Sequence, residues 1–162
     1  LRRRGELDEA EQLVAEVGAI EKRTGYSPGR ADHLAARITL DRGFPRMAAP
    51  LLAAAIASFR SQQGHDTMVL GAVDLVVSWA QLSTHLGEHV PAARLLGAVD
   101  AILARHSVEV PRRKEERHEI RHATIAAIGE GEYERLTREG AAWSVVEALE
   151  EVTRLAAPWL DA

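Results

Sequence analysis

The chain contains no cysteine, which excludes disulfides, a thiol nucleophile and a zinc–thiolate centre. Aromatic residues make up only 4% of its 162 residues, so the core must be assembled from Ala, Leu, Val and Ile. Small side chains of this kind let helices approach closely. Lysine occurs only at positions 22 and 114, and arginine supplies the remaining positive charge. The net charge of −4 argues against a whole-domain role on nucleic acid, because contacts to phosphate need a basic surface. The longest apolar run, Met47 to Phe59, falls short of the ~20 residues of a membrane span and contains Pro50. Arg2-Arg3-Arg4 is followed at once by an acidic stretch, so it is not the n-region of a signal peptide. A cytoplasmic protein with no membrane contact is expected. No segment alternates apolar and polar residues with a period of two, which leaves an all-α fold.

What the chain does have is a recurring frame. Gly87-Glu-His-Val-Pro-Ala-Ala-Arg-Leu-Leu opens an amphipathic stretch that continues to His106. Gly43-Phe-Pro-Arg-Met-Ala-Ala-Pro-Leu-Leu and Gly5-Glu-Leu-Asp-Glu-Ala-Glu-Gln-Leu-Val share it: Gly, four residues, Ala, two residues, Leu, an aliphatic. The three glycines lie 38 and 44 residues apart, the interval of helical-hairpin arrays. Such a hairpin cannot bury its apolar stripe alone and must stack on its neighbours. Each glycine is therefore expected to turn one helix into the next.

Taken in order, residues 1–4 read as the last turn of a helix whose start is missing, which suggests a fragment of a longer protein. Helices are expected over 8–23, 31–42, 45–63, 66–86 (with Asp66 as cap) and from Gly87 to about 106. Pro45 suits a first helical turn, while Pro50 lies deeper, where it should kink or loosen the helix. After a break at Val108 to Pro111, helices are expected over 112–128, 132–138 and 144–157. Ser144 and Glu147 have the spacing of a capping box. The expected architecture is thus three stacked antiparallel hairpins over 1–108, the first truncated, forming a right-handed superhelix. A C-terminal helical extension over 109–162 packs on them.

The glycines Gly5, Gly43 and Gly87, with Ala10, Ala48 and Ala92 five residues later and Ala36 and Ala80 seven residues before, resemble degenerate tetratricopeptide repeats. The tail adds Ala93-Arg-Leu-Leu-Gly-Ala98, Pro111, Ile128-Gly-Glu-Gly-Glu-Tyr133, Glu139-Gly140 and Ser144-x-x-Glu147-Ala148. That order resembles the region following the repeats in large bacterial regulators of the LuxR and signal-transduction ATPase type. The resemblance implies a non-catalytic binding or signal-sensing module, lacking a cofactor, within a transcriptional regulator. Its neighbours in the parent chain would be an ATPase module and a helix-turn-helix DNA-binding domain. His106-Ser107 stands where the family has a glycine.

Candidate binding residues come from the first helix of each hairpin, since in solenoids these line the concave face. Asp74, Ser78, Gln81 and His85 recur at helical spacing in an otherwise apolar helix. Arg37 and Asp41 hold the offsets from Gly43 that Gln81 and His85 hold from Gly87, and His33 with Arg2 and Arg3 would extend the strip. Arg37, Asp41, Asp74, Gln81 and His85 are thus expected to form one polar groove for a protein or a small polar ligand. A bland alternative is the solvent-facing stripe that any amphipathic helix carries. A general protein-interaction scaffold is the second functional reading. A third, of another class, is a zinc hydrolase using His118-Glu119-Ile120-Arg121-His122, which satisfies the two-histidine helical motif. Its charged surroundings and missing third ligand speak against metal. The run Arg112-Arg-Lys-Glu-Glu-Arg117 reads as a solvated face held by local pairs, and the three tryptophans as packing residues.

Overall fold

The computed structural model describes residues 4–25, 29–62, 69–108 and 110–160. Among them are eight α-helices and no strand. In order they are α1 (Arg4–Thr24), α2 (Arg30–Asp41), α3 (Pro45–Ser61), α4 (Val69–His85), α5 (His89–Arg105), α6 (Lys114–Ile128), α7 (Glu130–Ala141) and α8 (Val145–Leu160). A 3-10 turn, Pro111–Arg113, leads into α6. Asp66 and the Arg2-Arg3 end of the polar strip lie outside the described residues. The chain divides into two compact units, residues 1–64 with 153–162, and residues 65–152.

In the first unit α1 and α2 run antiparallel. The Glu21 carboxylate near the end of α1 accepts a hydrogen bond from the Ala31 N–H in the first turn of α2, at 3.0 Å. At the opposite ends Arg42 pairs with Asp8 at 3.0 Å and Glu11 at 2.6 Å. The carboxylate satisfies an orphan donor of the helix N-terminus and sits at its positive pole. The turn expected at Gly5 is absent, since α1 runs through it. Gly5 is the second residue of this 21-residue helix, and even an interior glycine costs a helix only about 1 kcal/mol. The apolar set of α1 is also narrower than expected: Ala10, Val14 and Val17 are half-buried, but Leu13 and Ile20 are exposed.

The hairpins α2/α3 and α4/α5 are built alike. At Gly43 (φ 82°) the N–H bonds Leu40 at 2.8 Å and the next N–H bonds Thr39 at 3.1 Å. At Gly87 (φ 80°) the equivalent bonds reach Thr84 at 3.1 Å and Ser83 at 2.8 Å. Both are Schellman turns, which need a left-handed residue just past the helix end. Ala36 and Ala48 are fully buried in one hairpin, Ala80 and Ala92 in the other. The small residues at equal offsets from the glycines therefore sit at contacts too close for larger side chains. α3 continues through Pro50.

In the second unit α4 is buried on almost every side, with Val73, Val76, Val77, Trp79, Ala80 and Leu82 all inaccessible. A helix this apolar all round belongs in a core. Each such aliphatic side chain contributes roughly 1.5–3 kcal/mol of transfer free energy. α5 lies against it through Leu95, Leu96, Val99 and Ile102. α6 contacts both, and α7 packs most closely on α5. There Gly97 faces Thr137 and Gly140 faces Arg94. The capping box is present: Ser144 N–H donates to Glu147 at 2.7 Å, and Glu147 N–H to the Ser144 hydroxyl at 3.2 Å. Hydrogen bonding from the Ser144 N–H and hydroxyl holds the Glu147 carboxyl below the usual carboxylate range.

Candidate functional site

Of the expected groove residues, Arg37 and Asp41 lie one turn apart on α2, half-buried and exposed respectively. Both make polar interactions within the chain. Gln81 and His85 are one turn apart on α4, again half-buried and exposed. The equal offsets thus reproduce equal exposure in the two hairpins. The two pairs belong to different compact units.

Asp74 has a different setting. Arg113, 2% exposed, reaches it from the 3-10 turn, with Nε 3.1 Å from the Asp74 carboxylate. The same guanidinium donates to the Asp74 carbonyl at 3.2 Å and the Ser78 hydroxyl at 2.7 Å, and pairs with Glu116. Asp74 and Ser78 are therefore partners of a buried arginine, fastening α4 to the start of α6. This corrects the reading of that charged run as a solvated face at Arg113, while Lys114 and Glu115 are exposed. A buried cation persists only when paired, and removing one partner of such a pair costs about 3–5 kcal/mol. A signal for it was present in the sequence: Asp74 and Ser78, one turn apart in an otherwise apolar helix, need a polar partner.

Beside this lock, α5, α6 and α7 enclose an open cleft of about 610 Å³. Leu96 and Asp100 line it from α5, Lys114, Arg117, His118 and Arg121 from α6, and Tyr133 from α7, with Glu115 and Glu119 also on its border. Arg117 bonds Asp100 at 2.7 Å. Burial pushes the Asp100 carboxyl above its ordinary range against the pull of Arg117. With 64% of the side chain exposed, that push is largely screened. Burial likewise raises the Tyr133 hydroxyl. The Arg121 guanidinium stands over the Tyr133 ring, 5.8 Å from its centre, within cation–π range.

His118, Glu119 and His122 are all exposed on α6, the two imidazoles 6.4 Å apart and tilted by 50°. Among the described residues no group of three or more His, Cys, Asp or Glu is placed to hold a metal ion. Trp79 is buried, while Trp143 and Trp159 are half-buried. No described helix is long and apolar enough to cross a membrane.

No protein-family model, curated protein or solved structure matches the chain.

Proposed function

We propose that this region is a non-catalytic helical-repeat module that senses a signal or binds a partner within a bacterial transcriptional regulator. The observation that carries the reading is the recurrence of one hairpin: a glycine-turned pair of helices with alanine buried at the same offsets, in α2/α3 and again in α4/α5. Repetition of a packing unit without a recurring reactive group is what a binding scaffold needs. The tetratricopeptide-like superhelix belongs to the same proposal, with Arg37 and Asp41 as a polar binding strip on α2 and Gln81 and His85 as its equivalent on α4. A polar protein segment or small polar ligand suits these side chains, since each charge needs a partner once desolvated. Asp74 contributes through its exposed edge only, being already bound to Arg113.

The test is the DNA occupancy of the parent chain in cells. Enrichment at promoters is expected, together with loss of its response to signal in the Arg37→Ala/Gln81→Ala double variant at unchanged melting temperature. Both side chains are half-buried on helix surfaces and lie outside the core, and surface positions usually change stability by under about 0.5 kcal/mol. No promoter enrichment, with neither an ATPase nor a helix-turn-helix region in the parent chain, overturns the regulator reading in favour of a general interaction scaffold. An unaltered signal response in the double variant overturns the role given to the two polar strips.

A further inference from the structure

Lys114, Arg117, His118 and Arg121 occupy positions i, i+3, i+4 and i+7 of α6, the spacing that places side chains on one helix face. All four line the same cleft. Glu115 and Glu119 fall one position later in each turn, about 100° round the helix, and so stand at the rim of that face. Glu116 is turned to Arg113. The face is thus basic, and Asp100, the acid opposite it, is already engaged by Arg117. Arg121 is different: its guanidinium rests over the Tyr133 ring, with no carboxylate bound to it among the described residues. A planar guanidinium held in place by an aromatic face is oriented to receive a carboxylate through two parallel hydrogen bonds. Below it, Leu96 and Tyr133, 2% and 7% exposed, give the cleft an apolar floor. Its volume lies within the range of about 300–1,000 Å³ typical of small-molecule sites.

We propose that the cleft between α5, α6 and α7 binds a small organic carboxylate with an apolar body, the carboxylate on Arg121 and the body against Tyr133 and Leu96. Inorganic anions fit less well, because they leave the apolar floor uncovered. A neutral apolar molecule leaves Arg121 unmatched. Such a site is built from α6, α7 and the outer face of α5, and it uses none of Arg37, Asp41, Gln81 and His85.

The test uses naphthoate, followed by its own fluorescence on titration with the 162-residue chain. Saturable binding is expected, with naphthamide, the neutral analogue, at least about tenfold weaker. Arg121→Gln should lose a similar factor, the minimum for a charge-assisted bidentate pair. Arg138→Gln, an exposed arginine on α7 that does not line the cleft, should bind as the parent chain does. Circular dichroism confirms that both variants are folded. Equal affinity for naphthoate and naphthamide overturns the proposal, and because that comparison is made on the unaltered chain it holds whatever the variants do. Full affinity in folded Arg121→Gln, displacement of naphthoate by an equal concentration of inorganic phosphate, or no binding at millimolar ligand also overturns it.

Discussion

At Gly43 and Gly87 an added Cβ would meet nothing within 4 Å, yet both residues have φ near +80°. At Gly97 and Gly140 the situation is reversed. Both are within regular helix, but a Cβ would lie 2.1 Å from the Thr137 carbonyl oxygen and 1.8 Å from that of Arg94. The hairpin turns use glycine for its backbone freedom, and the α5/α7 crossing uses it for its missing side chain. One residue type therefore records two unrelated constraints, and the two should respond differently to the same substitution. At the turns the penalty is local and torsional. At the crossing it is shared by two helices, because the atoms in the way are backbone and cannot rotate aside.

The largest effect is expected at the crossing. Gly140→Ala gains about 1 kcal/mol of helix propensity, but it forces α7 away from α5 and opens the contact around Leu136. Overpacking with no side chain to yield costs about 3 kcal/mol or more. A fall in the urea midpoint of that order is expected, with Gly97→Ala close behind. A midpoint unchanged or raised in both variants would mean that α5 and α7 do not cross at these glycines. Gly87→Ala should cost less, about 1 kcal/mol, since alanine pays the left-handed penalty and loosens only one turn. If Gly87→Ala proved as damaging as Gly140→Ala, the separation of torsional from steric glycines would fail.

The contrast also explains what was legible in the sequence. Gly43 and Gly87 announce themselves, because each punctuates an apolar period and is followed by alanine at a fixed offset. Helix number and order after residue 30 follow from such punctuation and from the capping box at Ser144. The role of Gly97 and Gly140 was not legible: they were visible as members of the tail's motifs, but that each faces the other helix's backbone is a tertiary fact. The same holds for Arg113. Lys114 and Glu115, which follow it, are charged and exposed, and only packing of the 3-10 turn against α4 buries it. Gly5 failed for a different reason. A frame shared with two true turns gave it the appearance of a third, whereas its flanking Leu, Glu and Ala residues are compatible with continuous helix. In the cleft, Lys114 and Arg117 were legible only as part of a charged run, because Asp100, which Arg117 engages, lies on another helix.

A third turn sharpens the comparison. After α5, Ser107 N–H bonds the Ala104 carbonyl at 3.2 Å, and Val108 N–H bonds Leu103 at 3.0 Å. These are the bonds made around Gly43 and Gly87, but here the left-handed residue is a serine with φ 52°. Ser107 is exposed and its hydroxyl makes no hydrogen bond among the described residues, so nothing in the side chain offsets the backbone penalty. A residue with a Cβ pays about 1–2 kcal/mol in this conformation. Ser107→Gly removes that cost, while the more flexible unfolded chain takes back about 0.4–1 kcal/mol. The net expectation is a gain of about 0.5–1 kcal/mol, seen as a higher urea midpoint at unchanged slope. The effect is small because it is purely torsional, and it should be opposite in sign to Gly87→Ala. Destabilisation by Ser107→Gly would show that the serine side chain contributes to this turn, and that the three turns do not follow one rule.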